Sequence, residues 1–295
     1  MIEKTLAKHS EIYDSRWVQF MDTLNSTASC AGLSEYRTYS RIWEYPWFWF
    51  RIQELGRNNL HVLDTGSERS PFPWYLATQG YNVTVSDVTE AYWGDWKKAS
   101  RMLGVKPRLR ILDSQDLDMR TESVDVYESI SILEHIPDKA KALSEAARVL
   151  RRGGLLLLTF DICESDLGMT FPDWNGRAVS MREFDELFSN SPWFEPGLAN
   201  LKWNVENIPD YLAWHRGTAA HHNYVTGAIA IRRNQAAWAG TGRKGRTVEV
   251  AAACRTLAPA LRWQIQDFGA RMKGHLPSPI RSALRAGKSW FKPAR

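Results

Sequence analysis

Residues 62–71 read Val62-Leu63-Asp64-Thr65-Gly66-Ser67-Glu68-Arg69-Ser70-Pro71. An apolar run that closes on a carboxylate and a glycine is a strand leaving its sheet through a tight turn, and Pro71 presets the backbone for a following helix. The same rhythm continues along the chain. Strands are predicted at 59–63, 81–86, 108–112, 124–129 and 155–160, with a helix at 73–79 ended by Gly80 and another at 140–150 closed by Gly153 and Gly154. Short apolar runs alternating with helical stretches are βαβ units, so the fold class is α/β, a doubly wound and mostly parallel sheet. A helix at 180–188, with Glu183 at the capping-box position, and closing strands at 201–207 and 224–232 bring the sheet to seven strands.

In such a sheet a ligand lies at the carboxyl ends of the strands, by the topological switch point. The turn at 64–71 is therefore the first place to look. A dinucleotide fingerprint would need glycines at 66, 68 and 71, where the chain has Gly66, Glu68 and Pro71. Glu68 would put bulk and negative charge where a pyrophosphate must approach the backbone, which disfavours NAD and FAD.

An ordered set of residues follows the turn: Asp87 ends the second strand, Leu112-Asp113-Ser114-Gln115-Asp116-Leu117 follows the third, and Val124-Asp125-Val126 leads into Ile132-Leu133-Glu134-His135-Ile136-Pro137-Asp138. With Asp64-x-Gly66, and in this order and spacing, the chain resembles the class I S-adenosylmethionine-dependent methyltransferases, particularly the small-molecule and glycan methyltransferases with a Leu-Glu-His-Ile motif. The resemblance covers about residues 55–165 and implies a Rossmann-like methyltransferase sheet. The family usually carries a second glycine at position 68 and often a third at 70, where this chain has Glu68 and Ser70.

The resemblance implies roles for individual residues. Gly66 and Ser67 would let the backbone approach the methionine portion of S-adenosylmethionine, and Asp64 would meet its ammonium group. Asp87, with Val88 beside it, would accept hydrogen bonds from the ribose hydroxyls. Asp113 and Ser114 would meet the adenine edge, and Ser129 would lie near the sulfonium. Domain limits follow: 1–54 an N-terminal helical and aromatic cap, 55–240 the S-adenosylmethionine-binding domain, 241–295 a basic helical tail.

Methyl transfer is an in-line displacement, so positioning dominates, and a hydroxyl acceptor gains from a nearby base. His135 is the first candidate, although its place at a helix start also suits a backbone hydrogen bond. Asp161 after the fifth predicted strand, and His221 or His222 before the last, are the alternatives, with His222 taken as the representative. His215, His221 and His222 lack a carboxylate cluster at ligand spacing, and no metal is assigned. The acceptor implied is a hydroxyl of a small molecule, or of a sugar on a glycan or lipid-linked carrier. An RNA acceptor and a non-catalytic module that keeps the fold are the competing readings.

The ends of the chain carry separate signals. Residues 1–40 are expected to be largely helical. Trp43, Tyr45, Trp47, Phe48, Trp49 and Phe50, interrupted by Glu44 and Pro46, form either a cap packed on the sheet or a lid over the cleft. Cys30, Cys163 and Cys254 lack paired spacing and read as thiols of a reducing compartment. With no apolar leader or spanning segment in the sequence, the expectation is a cytoplasmic protein. The formal charge of +5 is uneven: beyond residue 240, twelve Lys and Arg face Glu249 and Asp267 for a net +10, leaving −5 on residues 1–240. Leu257, Leu261, Ile265, Phe268, Met272 and Leu276 recur at helical spacing among these charges. Such a tail docks on a core or a partner, lies on an anionic membrane surface, or contacts nucleic acid, the last being the less favoured.

Overall fold

A computed structural model describes residues 2–37, 40–57, 59–164, 176–189, 191–218 and 224–235. The tail from 241 onward and His222 lie outside them.

An eight-stranded sheet organises the chain. Its strands are β1 (Ile2–Leu6), β2 (His61–Thr65), β3 (Asn82–Asp87), β4 (Arg108–Ile111), β5 (Val124–Ile130), β6 (Leu150–Cys163), β7 (Val179–Ser180) and β8 (Val225–Arg232). The order is β1-β8-β6-β5-β2-β3-β4, with the short β7 added to β6. β8 runs antiparallel to both β1 and β6, and the other pairings are parallel. Both faces of the central strands are covered. Val62, Leu63, Val83, Val85, Val126, Leu155, Leu156 and Leu157 are almost fully buried, and their near-continuous apolar runs are those of a parallel sheet between helices. The chain proceeds from β2 to β3 and β4 on one side and returns to β5 and β6 on the other. The switch point therefore falls between β2 and β5, at the turn quoted first.

Among the described residues seven helices accompany the sheet: α1 (Ser15–Ala31), α2 (Arg41–Gln53), α3 (Phe72–Thr78), α4 (Trp93–Leu103), α5 (Lys139–Val149), α6 (Met181–Ser189) and α7 (Ile208–Thr218). Asp14 caps α1 by accepting the Arg16 N–H at 2.8 Å, and Gly32 ends it in the left-handed region. Ser180 caps α6 by accepting the Glu183 N–H at 3.2 Å, as the capping-box spacing predicts.

Three expectations are corrected. The first residues form β1, an edge strand beside β8, so the N-terminal segment joins the main sheet. Residues 201–207, which alternate apolar and polar, form no strand. The place beside β8 is already taken by β1, and the Asn204 side chain instead bonds the backbone of Leu6, accepting its N–H at 2.6 Å and donating to its carbonyl at 3.2 Å. Gly153 and Gly154 do not close α5. They lie within β6, where the register against β5 shifts, and the Gly153 N–H donates to the Arg233 carbonyl at 3.0 Å.

The aromatic run is α2, and it is core. Trp43, Tyr45, Trp47, Phe48 and Trp49 are buried; Trp43 stacks on Trp47 at 6.0 Å, Phe20 of α1 on Trp49 at 5.7 Å, and Tyr45 on Phe72 of α3 at 5.7 Å. Burying each such ring stabilises by roughly 2–3 kcal/mol, which fixes this helix as a packed element and not as a lid.

Candidate active site

The β2 turn is held by its own polar groups. Gly66 adopts φ +75°, and a side chain there would run into Ile132. Ser67 is buried, and its hydroxyl donates to Asp64 Oδ2 at 2.7 Å while accepting the Ser86 N–H at 3.1 Å. Its side chain thus pins the turn to β3. The Glu68 N–H donates to Asp87 Oδ2 at 3.1 Å, and the Thr89 N–H to Asp87 Oδ1 at 3.1 Å. Glu68 itself sits at φ +42°, a conformation that favours glycine, so the turn keeps a glycine-type shape without the glycine.

Other predicted cofactor residues cluster at the same end of the sheet. Val88 follows Asp87 and is 43% exposed. Asp113 is exposed and accepts the Gln115 backbone N–H at 2.8 Å, which closes its own turn, and Ser114 beside it is half-buried. Ser129 is buried, in register with Thr65. Gln115 Oε1 accepts the Asp138 N–H at 3.0 Å, tying the loop after β4 to the segment after β5.

The sequence reading missed most of the buried charge at the strand ends. Glu128, in register with Asp64 across the β2–β5 pair, is fully buried, and neither of its carboxylate oxygens has a hydrogen-bond partner. Burial, opposed by the Ser67 hydrogen bond and aided by the charge of Asp87, lifts Asp64 to about 7, and burial and Asp64 raise Glu128 further. Two such carboxyls need a proton or a cation. A cofactor carrying an ammonium and a sulfonium fits that requirement, whereas a dinucleotide pyrophosphate does not.

A second group gathers where β5 and β6 end. Glu44, from α2, is fully buried. It forms an ion pair with Arg41 and accepts hydrogen bonds from Ser131 Oγ and Thr159 Oγ1, both at 2.6 Å. Arg41 also donates to Ser131 Oγ at 2.7 Å. Burial works to raise the Glu44 pKa, but Arg41 and the two hydroxyls outweigh it and hold the group low. Glu134 and Asp161 have no such partners. The Asp161 N–H donates to Glu134 Oε1 at 3.3 Å, Glu134 Oε2 has no partner, and both side chains are buried. Burial lifts Glu134 to about 8, and burial together with Glu134 and Glu44 raises Asp161 well above the ordinary carboxylate range. His135 is half-buried, with its ring against Gly176, where any side chain would collide with it. Of the predicted catalytic residues, Asp161 meets Glu134 through its backbone N–H, His135 is the next residue along the chain from Glu134, and His222 lies outside the described residues. Among the described residues no His, Cys, Asp and Glu cluster has metal-binding geometry.

Strand order, switch point and acidic turn define a class I methyltransferase fold. Residues 63–158 match a family model described as a methyltransferase domain, and in that segment the chain carries a methyltransferase domain. The chain is similar to the tRNA 5-carboxymethoxyuridine methyltransferase of Escherichia coli K12, 29% identical over 112 residues, which span 37% of this chain and 43% of that protein. It is also similar to the ubiquinone/menaquinone biosynthesis C-methyltransferase UbiE of Rhizobium meliloti, 27% identical over 165 residues, spanning 54% and 61%. A solved geranyl diphosphate methyltransferase in complex with SAM superposes with a TM-score of 0.53 at 15% identity, covering 79% of this chain and 97% of that one. The [4+2]-cyclase SpnF does so with 0.51 at 16%, covering 79% and 98%. These two likenesses concern the fold alone.

Proposed function

We propose that the chain transfers the methyl group of S-adenosylmethionine to a hydroxyl of a small molecule, or of a sugar on a glycan or lipid-linked carrier. One observation supports this best. The Asp64–Gly66 turn and the buried Glu134–Asp161 pair stand at the carboxyl ends of β2, β5 and β6, the place where a doubly wound sheet binds its ligand. The bound cofactor supplies an activated methyl group. Asp64 and Asp87 would orient it, and the loop at 113–118 would border its base. Asp161, in its ionised form, would accept the acceptor's proton, and because burial raises its pKa the activity it supports would grow as pH rises. Glu134 would be a positioning residue, holding the Asp161 backbone through Oε1.

A second reading is a nucleic-acid acceptor, favoured by the similarity to the tRNA enzyme and by the +10 charge beyond residue 240. Formation of S-adenosylhomocysteine is the test, measured against panels of hydroxylated small molecules, nucleotide sugars, lipid-linked saccharides and unmodified tRNA. Asp161→Asn should lower kcat by about 10²–10⁴ with cofactor affinity retained. No cofactor binding at millimolar concentration would sink both readings, and turnover confined to tRNA would sink the first. No described helix is long and apolar enough to cross a membrane. We place the enzyme in the cytoplasm, with its tail on the inner membrane face.

A further inference from the structure

Glu128, in register with Asp64 of the predicted cofactor turn, has no role in the expected chemistry. It lies in the middle of β5, one residue before Ser129, fully buried and with both oxygens unpartnered. Residues in register on neighbouring strands project to the same face with their Cβ atoms about 5 Å apart. Asp64 and Glu128 are such a pair. On that face the groups around them are few. Beyond Glu128 on β6 stand Leu157, in register with it, and Thr159, whose hydroxyl is given to Glu44 of α2 with Arg41 behind. Beyond Asp64 on β3 is Asp87, whose two oxygens already accept the N–H groups of Glu68 and Thr89. No cation reaches Glu128 from any of these elements. Arg41 is committed to Glu44 and Ser131.

Two carboxylates at this separation in a dry site cannot both stay ionised. Resting on the reading that this cleft takes S-adenosylmethionine, we propose that Glu128 joins Asp64 as a second carboxylate receptor for the cofactor's ammonium group, and that the pair shares a proton which is released when the ammonium binds. The balance is simple. The free protein holds at least one proton between the two carboxyls, the incoming ammonium brings one positive charge to the same place, and one proton passes to the buffer. Burial, which favours the protonated form of both groups, acts in the same direction. The consequence is a cofactor affinity that rises with pH through the neutral range, because binding is linked to proton loss.

The experiment is calorimetric titration of the full chain with S-adenosylhomocysteine, which keeps the ammonium but has a neutral sulfur. Buffers of different ionisation enthalpy are used at several pH values. Release of close to one proton per ligand at pH 6.5 is expected, with the dissociation constant tightening about tenfold between pH 6 and 7. In Glu128→Gln, and in Glu128→Leu as a second variant, each with a thermal midpoint at or above that of the native chain, the release should fall below half a proton and the pH dependence should flatten. Native-like release in both variants would overturn the proposal. So would release by S-adenosylmethionine alone, which would assign the effect to the sulfonium. Binding of the nucleoside without proton release would overturn this inference and leave the proposed function standing, while no binding at all would defeat that function first.

Discussion

Single residues decide how this cleft departs from its relatives. Asp64, Gly66 and Asp87 were legible because a carboxylate or glycine at the end of a strand stands out against an apolar run. Glu128 and Glu134 were not, since nothing in the sequence says that a carboxylate inside Val124–Ile130 or just after it stays buried without a partner. Glu68 was legible as an anomaly, and the structure gives its cost. A glutamate at φ +42° carries left-handed strain of about 1 kcal/mol that glycine does not. Glu68→Gly should therefore raise unfolding stability by about that amount in urea, less the backbone entropy that glycine loses on folding. A loss of stability would show that the side chain holds the turn. The raised carboxyls also predict a pH profile. Unfolded carboxylates lose their protons near pH 4, while Asp64 keeps its proton to about 7 and Glu134 to about 8. Between these limits the folded chain binds more protons than the unfolded one, so stability falls as pH rises. The penalty from Asp64 and Glu134 is absent below about pH 4 and complete above about pH 8. His61, lowered by burial, opposes this below about pH 6.5 but is one group against the raised carboxyls. The melting temperature should drop from pH 5 to pH 8 and drop less in Glu134→Gln; a flat or rising profile would refute the assignment.

At the scale of elements, the five strands between residues 59 and 160 and the helices after β2 and β5 were legible from their apolar periods, whereas α4 (Trp93–Leu103) was not named and the stop of α5 was misread. The edge of the sheet was not legible either. Leu201-Lys202-Trp203-Asn204 has the alternation of a strand, but strand pairing is decided by which segment reaches the edge, and β1, almost two hundred residues away, occupies it. The role of α2 was half legible. Its rings announce burial, but only the folded chain shows that Glu44, the residue that interrupts them, reaches across to Ser131 and Thr159 and fastens the helix to the ends of β5 and β6. Removing that carboxylate leaves two buried hydroxyls and Arg41 without their common acceptor. Glu44→Ala should cost about 3 kcal/mol, the low end for breaking a buried ion pair, because the Arg41 side chain keeps a fifth of its surface in water. Since Glu44 is held below its usual pKa, its contribution is present above about pH 4.5 and lost as pH falls below that. Urea unfolding of the variant should show the full deficit at pH 7 and a smaller one in acid. An unchanged midpoint at pH 7 would mean that the aromatic packing alone holds α2.

The whole molecule combines a mildly acidic catalytic body with a strongly basic C-terminal segment, and this asymmetry is a property of the sequence alone, because residues 241–295 lie outside the described residues. A net +10 beyond residue 240 is drawn to any anionic surface, and charge by itself does not choose between lipid and RNA. We propose that the apolar residues from Leu257 onward favour lipid. Laid along one helical stripe they can enter a headgroup boundary at roughly 0.025 kcal/mol per Å², and they have no comparable use on a phosphate backbone. Each Lys or Arg near an acidic leaflet adds about 1 kcal/mol, so a few engaged residues give attachment that weakens with salt. A lipid-linked acceptor would then be concentrated where the cleft works. In co-sedimentation, the full chain should pellet with phosphatidylglycerol-containing vesicles at low salt and remain in solution with phosphatidylcholine alone. Replacing Arg255, Arg262, Arg271 and Lys273 by Glu should abolish pelleting while leaving the melting temperature and cofactor binding unchanged, since the sheet and its turn lie before residue 236. Pelleting that survives the replacement, or a native chain that ignores anionic vesicles while binding tRNA with a steep salt dependence, would assign the segment to a protein or RNA partner and remove the membrane from the account.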